Sequence, residues 1–163
     1  MELPKRKPTR LKGYDYSTPG AYFITICTKD RKELLSKIVG DDAHIVPKNN
    51  LSDYGLICDK YINNINGKYE NVTVDKYVIM PNHIHLIMFL SGTMKASSPT
   101  SNIETIVRSF KTMVTKEKGC SIWQRSYHDH IIRGEKDYQK IWEYIDTNPL
   151  KWELDCFYND ERS

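Results

Sequence analysis

Residues 72–90 read VTVDKYVIMPNHIHLIMFL, and this stretch decides the fold. Two runs rich in β-branched, aromatic and aliphatic side chains, Val72–Ile79 and His83–Leu90, enclose the short segment 80–82 (MPN). Such runs favour β-strands, while a proline followed by an asparagine favours a turn, which is the role we assign to Asn82. Because so few residues separate the two runs, the sequence predicts an antiparallel hairpin.

The sequence before this hairpin predicts a strand and a helix. Residues 21–28 (AYFITICT) are dense in aromatic and β-branched side chains, which favour a strand. Residues 51–65 repeat apolar side chains at helical spacing, so a helix is expected there although Gly55 weakens it. The polar residues 29–50 between them predict a short strand and an irregular loop.

The sequence after the hairpin predicts two helices around one further strand. Ser101 and Glu104 fit the S-x-x-E capping box, which opens a helix that continues to about residue 118. Residues 121–132 are expected to include a strand, and residues 137–147 form a helix that stops before a proline. The order strand, helix, two strands, helix, strand, helix predicts an α+β fold with helices on a mainly antiparallel sheet.

Composition limits the class of protein. The chain has 163 residues, of which 39% are hydrophobic and 28% charged, so we expect one domain with a buried core rather than a disordered or fibrous chain. No stretch approaches the roughly 20 apolar residues of a membrane span. The first residues lack the apolar run of a secretory signal, which predicts a cytoplasmic protein.

The four cysteines indicate no scaffold of disulfides. They lie far apart, form no Cys-x-x-Cys pair, and are interpreted as reduced and mostly buried. Zinc ligation is the alternative reading of the four residues, which are Cys27, Cys58, Cys120 and Cys156.

His83 and His85 are the first pair of residues that could carry chemistry. Side chains two residues apart leave a strand by the same face, so the two imidazoles project together while Ile84 and Leu86 enter the core. Two imidazoles side by side can chelate one metal ion. A strand with one solvated face would give the same pattern, and the pair alone leaves both readings open.

Tyr144 and Asn148 form the second pair. Residues four apart share a helix face, so the two side chains can point at one place. A phenol becomes a good nucleophile when a base or a nearby cation assists it, and the asparagine oxygen could help to hold such a cation. The alternative is a half-buried tyrosine and an asparagine that ends the helix. Tyr138 is the rival nucleophile, but it lies about 120° away around the helix.

These residues also carry a resemblance to a known family. The stretch 81–88 (PNHIHLIM) resembles the HUH motif of single-strand DNA endonucleases, and Tyr144 with Asn148 is similar to the tyrosine-x-x-x-polar pattern of single-tyrosine insertion-sequence transposases. Three further blocks fit the same family: YDYSTPGAYFITICT (14–28), WQRSYHDHIIR (123–133) and YIDTNPLKW (144–152). Over most of its length the chain resembles the REP-associated tyrosine transposases.

The resemblance implies a fold and a division of the chain. It implies a ferredoxin-like (RRM-like) antiparallel sheet, with the two histidines on a central strand and the tyrosine helix facing them. We expect a basic N-terminal arm over residues 1–20, a catalytic domain over residues 21–155 and a C-terminal tail over residues 156–163.

The resemblance also implies an activity. His83, His85 and Asn148 would be the ligands of a divalent metal ion, Mg²⁺ or Mn²⁺, and Tyr144 would be the nucleophile. Cleavage of single-stranded DNA at a hairpin would leave a 5′-phosphotyrosine and a free 3′-hydroxyl, which can reverse the reaction on another strand. The chain would act as a monomer or as a homodimer.

Basic residues of the N-terminal arm and the second helix, together with Gln124 and Arg125 of the WQRSYHDHIIR block, are expected to contact the DNA. The net charge is only +3, but positive charge is concentrated at the N-terminus and recurs on the second helix. A solvated surface without a binding role is the alternative reading for each of them. The predicted set is Lys5, Arg6, Lys7, Arg10, Arg108, Lys111, Gln124 and Arg125.

Two other functions stay open from the residues. The chain could be a single-stranded nucleic-acid-binding protein whose active site is idle, which would bind DNA without cleaving it. It could also be a zinc-dependent hydrolase built on His83 and His85. That enzyme would need a carboxylate or a third histidine nearby, whereas the downstream motif offers Asn148.

Overall fold

The computed structural model describes residues 11–39, 48–92 and 102–158. Six strands are present in this part of the chain: β1 (Gly20–Cys27), β2 (Ser36–Val39), β3 (Lys48–Leu51), β4 (Val72–Ile79), β5 (His83–Leu90) and β6 (His128–Ile132). Three α-helices accompany them: α1 (Asp53–Lys68), α2 (Ile103–Lys118) and α3 (Glu135–Thr147). Short 3₁₀ helices cover Lys29–Arg31 and Asn148–Leu154.

Four strands form the main sheet in the order β4-β5-β1-β6. Every neighbouring pair is antiparallel, so the predicted α+β class with an antiparallel sheet is confirmed. The predicted hairpin is also present, because Ile79 of β4 faces Ile84 of β5 across a short turn. Strand β5 lies between β4 and β1 and is therefore hydrogen-bonded on both sides.

The two faces of the sheet are covered by different helices. Alternate residues of β1 and β5, such as Ile24 and Leu86, enter a large apolar core that includes Ile62 of α1 and Ile106 of α2. Helix α3 lies over the opposite face, where Ile141 and Ile145 pack against Ile87. Because side chains alternate along a strand, His83 and His85 stand on the α3 face together with Ile87.

Helix α1 begins two residues later than predicted. Ser52 caps it by accepting a hydrogen bond from the Gly55 amide at 3.2 Å, and Leu51 belongs to β3 instead. Strand β3 pairs with β2 in a small second sheet, so the region expected to be one short strand and a loop supplies two strands.

Helix α2 is not capped as the S-x-x-E pattern predicted. The N-cap is Asn102, whose side chain accepts from the Thr105 amide at 2.8 Å. An asparagine oxygen reaches this amide as readily as a serine hydroxyl, and Ser101 lies outside the described residues. Within the residues that the structure describes, none of the helices has the length and apolar character needed to span a membrane.

Candidate active site

The histidine pair is buried at the beginning of β5, an interior strand of the main sheet. His83 and His85 are 0% and 1% exposed, and their ring centroids are 4.4 Å apart. Strand β1 supplies Thr25 directly opposite His85, with the hydroxyl 2.8 Å from His85 Nδ1. Two imidazoles on a strand that is paired on both sides are held in a fixed relative position.

Asn82 determines which nitrogen of His83 carries the proton. The Asn82 amide Nδ2 donates to the carbonyls of Phe157 at 2.7 Å and Arg31 at 3.3 Å, so its Oδ1 is the acceptor. This oxygen lies 2.8 Å from His83 Nδ1, which must therefore donate. The lone pair of the His83 ring is consequently on Nε2.

Three buried acceptor atoms at this place fit a metal ion. Within the described ranges, His83 Nε2, His85 Nε2 and Asn148 Oδ1 are buried and have no hydrogen-bond partner. Buried polar atoms are normally satisfied, so these three unpaired atoms mark a candidate ligand-binding site, in which His85 Nε2 is an acceptor when Nδ1 donates to Thr25. Two imidazole nitrogens and an amide oxygen are donor atoms for a divalent ion.

Asp155 adds a carboxylate that the sequence analysis missed. Its Oδ2 lies 4.0 Å from His83 Nε2, and ligand atoms of His83, His85 and Asp155 all lie within 4.8 Å of one another. The same oxygen accepts a hydrogen bond from Asn148 Nδ2 at 2.7 Å. The 3₁₀ helix Asn148–Leu154, which follows α3 directly, carries the chain from one of these side chains to the other.

Tyr144 lies beside the same cluster. Its ring centroid is 5.2 Å from that of His85, and its hydroxyl donates to Asp155 at 3.3 Å. The residue is 39% exposed, so one side of the phenol faces solvent. Partial burial and then the Asp155 charge raise the pKa of Tyr144 above its usual value of 10, which keeps the phenol protonated in the absence of a cation.

Both histidines are neutral in the folded protein. Burial lowers the pKa of His83 to about 4, although the Asp155 carboxylate and the nearby Asn148 side chain oppose this shift. Burial, followed by repulsion from His83, holds the pKa of His85 well below its usual value. Neutral imidazoles keep their lone pairs free for a metal ion near neutral pH.

Tyr138 occupies a different position on α3. Its hydroxyl donates to Asp75, and its ring lies 6.0 Å from that of Phe89. The aromatic ring that contacts His85 from this helix is that of Tyr144. The geometry therefore separates the two tyrosines in the way that their helical spacing predicted.

Of the residues predicted to contact DNA, those that the structure describes differ in exposure and in their contacts. Arg108 is exposed and pairs with Glu104 at 3.2 Å, whereas Lys111 is half-buried and donates to the carbonyls of Gln124 at 2.9 Å and Ser126 at 3.0 Å. Arg125 is exposed and Gln124 half-buried. The arm residues Lys5, Arg6, Lys7 and Arg10 lie outside the described residues, and the DNA contacts of the whole set stay a prediction.

The comparisons with known proteins point to one family. A family model described as IS200-like transposase matches residues 17–148. An uncharacterised protein of Haemophilus influenzae is 38% identical, with 95% of this chain and 94% of that protein aligned. A REP-associated tyrosine transposase of Escherichia coli is 28% identical over 53% of this chain and 55% of its own length.

A solved structure shares the fold. It is a REP-associated tyrosine transposase bound to a REP hairpin, and it matches with a TM-score of 0.61 at 23% identity. The match covers 95% of this chain and 76% of that one. Together with the family model over residues 17–148, these relatives establish that the chain belongs to the IS200-like transposase family, the family of the REP-associated tyrosine transposases.

Proposed function

We propose that this protein cuts and rejoins single-stranded DNA beside a hairpin, with Tyr144 as the nucleophile. The observation that carries the proposal is the convergence, within one chain, of Tyr144 with the orphaned acceptors of His83, His85 and Asn148. Family membership supports the same activity. The hairpin is inferred from the related transposase whose structure contains a REP hairpin.

Four residues would hold a divalent metal ion. His83 and His85 offer Nε2 lone pairs, Asn148 offers Oδ1, and Asp155 offers a carboxylate oxygen. A bound Mg²⁺ or Mn²⁺ would polarise an oxygen of the scissile phosphate. Because imidazole is softer than the usual ligands of Mg²⁺, the donor set favours Mn²⁺.

The side chains of this protein have defined tasks in the reaction. The Tyr144 oxygen attacks the phosphorus, its bond to phosphorus forms, and the bond to the 3′-oxygen of the preceding nucleotide breaks. Asp155 Oδ2 accepts the hydrogen bond of the Tyr144 hydroxyl, so it would take the proton when the metal ion does not occupy this oxygen. The leaving 3′-oxygen takes up a proton, and the reverse attack by this hydroxyl rejoins a strand without an external energy source.

Asp155 also favours a second candidate function. A zinc hydrolase on His83 and His85 requires a third ligand such as a carboxylate, and Asp155 lies 4.0 Å from His83. In that enzyme a metal-bound water would be the nucleophile, and no protein–DNA bond would form. The two functions therefore differ in their product and in their dependence on Tyr144.

The decisive experiment looks for a covalent protein–DNA product. A labelled library of single-stranded hairpins with flanking sequence is incubated with the protein and Mn²⁺ or Mg²⁺, then separated on a denaturing gel. We expect an adduct that is lost in Tyr144→Phe and kept in Tyr138→Phe, which is the matched control on the same helix. Cleavage that survives Tyr144→Phe without an adduct would replace the proposal with the hydrolase. Binding on a native gel, without cleavage in any lane of the denaturing gel, would favour the idle nucleic-acid-binding protein.

A further inference from the structure

Arg31 stands in a turn with an unusual backbone. It ends the short 3₁₀ helix Lys29–Arg31 after β1, and both Asp30 and Arg31 have positive φ angles, 56° and 52°. Residues with a Cβ adopt this left-handed conformation at an energetic cost, and residues that keep it are concentrated at functional sites. This left-handed backbone conformation persists only when neighbouring contacts hold it.

Asn82 connects this turn to His83 through hydrogen bonds. The Thr28 amide donates to the Asn82 carbonyl at 3.0 Å, and Asn82 Nδ2 donates to the Arg31 carbonyl at 3.3 Å. Asn82 is also the residue that orients His83 through Nδ1. The Asn82 side chain therefore contacts both the backbone of Arg31 and the ring of His83, and it fixes their relative position.

The guanidinium of Arg31 lies beside Phe157, whose ring in turn packs against His83. Its carbon lies 5.5 Å from the ring centroid of Phe157, and the Phe157 ring in turn lies 4.5 Å from that of His83. Its Nη1 also donates to the Cys156 carbonyl at 3.4 Å, a long and therefore weak bond.

A guanidinium close to His83, His85, Asn148 and Asp155 suits a site that binds a phosphate. A DNA phosphate is an anion, and Asp155 adds a carboxylate within 4.0 Å of His83. A guanidinium is permanently charged and presents two parallel N–H groups that match two phosphate oxygens. An exposed arginine beside Phe157 can therefore add its positive charge to that of the bound metal ion and pair with the oxygens of an incoming phosphate.

We propose that Arg31 is a further catalytic residue, whose guanidinium binds the phosphate that Tyr144 attacks. The proposal rests on the proposed function for the identity of that phosphate. The competing interpretation is structural, with Arg31 serving only to hold residues 156 and 157 through the Cys156 carbonyl and the Phe157 ring.

A binding experiment tests the contact without requiring cleavage. The full chain carrying Tyr144→Phe is loaded with Mn²⁺ and titrated with thymidine 5′-monophosphate and, separately, with thymidine. Arg31→Gln is expected to weaken nucleotide binding by about 10- to 100-fold and leave thymidine binding unchanged, as removal of a charge-assisted hydrogen bond predicts. Lys32→Gln removes the neighbouring charge of the same turn and should change the nucleotide affinity less than about twofold.

The outcomes of this titration separate the two interpretations. Equal nucleotide affinity with and without the Arg31 guanidinium overturns the proposal, whatever happens to the melting temperature. A parallel loss of thymidine and nucleotide binding, with a lower melting temperature, also overturns it and supports the structural role. The charge-conserving Arg31→Lys variant should keep part of the preference for the nucleotide over thymidine. Lysine retains the positive charge but lacks the two parallel N–H groups of the guanidinium.

A kinetic experiment then separates this proposal from the proposed function. Under single-turnover conditions with hairpin DNA, Arg31→Gln should slow adduct formation by about 100-fold, the size typical of losing one transition-state donor. Absence of an adduct with the unaltered protein overturns the proposed function, while the nucleotide titration still decides about Arg31. Adduct formation at the normal rate in Arg31→Gln contradicts the assignment of Arg31.

Discussion

Asn148 and Asp155, seven residues apart, are joined by a hydrogen bond of 2.7 Å from amide Nδ2 to carboxylate Oδ2. A carboxylate can only accept, so this bond identifies the amide nitrogen of Asn148 and leaves its Oδ1 as the orphaned acceptor. The oxygen that we assign to the metal ion is thus oriented by a neighbour that is itself within reach of the same ion.

Removal of the Asp155 side chain should weaken metal binding. Asp155→Ala deletes one ligand and the acceptor that orients Asn148, and we expect Mn²⁺ affinity to fall by about 10- to 100-fold. Isothermal titration calorimetry measures this directly. Asp155→Asn keeps an oxygen and removes the charge, so it should bind more tightly than the alanine variant. Unchanged affinity in both variants would remove Asp155 from the ligand set.

Asn82 should matter through the orientation of His83. Asn82→Ala removes the acceptor for His83 Nδ1, and loss of such a supporting contact typically costs about 10- to 100-fold in metal affinity. Asn82→Asp is the informative partner variant, because it keeps an acceptor for His83 and loses the donors to Phe157 and Arg31. If the orientation of His83 is what counts, the aspartate variant should keep more of the Mn²⁺ affinity than the alanine variant.

Lowering the pH from 7 to 5 should destabilise the metal-free protein through its buried histidines. The folded-state pKa of His83 is about 4, below the usual 6.5, so between these values the unfolded chain binds more protons and stability falls as pH falls. For His83 the loss between pH 7 and pH 5 is on the order of 2 kcal/mol, with a contribution in the same direction from His85.

Urea unfolding followed by tryptophan fluorescence measures this dependence. A His83→Gln variant should show a shallower loss of stability over the same pH range, whatever its absolute stability. An equally steep loss in that variant would assign the pH dependence to other groups. Saturating Mn²⁺ should raise the stability at pH 7 more than at pH 5, because protons compete with the metal ion for the imidazoles.

Gly55 should be intolerant of a side chain. A Cβ at this position would lie 2.1 Å from the Leu35 carbonyl oxygen, which also accepts from the Ser52 amide at 2.9 Å. The clash is with the backbone, so Gly55→Ala should cost about 3 kcal/mol or more of unfolding free energy. A Cβ at Gly67, in the same helix, would meet none of the described atoms within 4 Å, so Gly67→Ala should stabilise by about 0.5–1 kcal/mol. Equal melting temperatures for the two variants would contradict this assignment.

The parts of the fold that follow from local patterns were predictable from the sequence. The alternation in His83–Leu90 indicated the strand and the shared face of the histidines, and helical spacing placed Tyr144 and Asn148 on one side of α3. Gly55, interpreted as a weakness of α1, is required there because the Leu35 carbonyl packs against it. That requirement depends on a contact between distant segments, which periodicity does not contain.

Asp155 escaped prediction for a related reason. Helical spacing extends no further than the proline at position 149, and the residues after it form a 3₁₀ helix that contains a kink at Lys151. Neither the helical nor the strand period predicts where Asp155 points. The only signal in the sequence was an acidic residue shortly after the YIDTNPLKW block. This residue becomes a candidate ligand only when the structure shows that the chain folds back towards the histidines after the 3₁₀ helix.

The candidate metal site joins two segments that differ in their resistance to local opening. His83 and His85 belong to β5, whose amides are bonded to strands on both sides and should exchange with solvent only on global unfolding. Asp155 follows a seven-residue 3₁₀ helix, an element whose hydrogen bonds are weaker. Hydrogen exchange should therefore find slow amides beneath the histidines and faster ones around Asp155. The Asp155 carboxylate could then move away from the site and return while the two imidazoles stay in place. The number of protein ligands available to a metal ion would therefore vary within the native state.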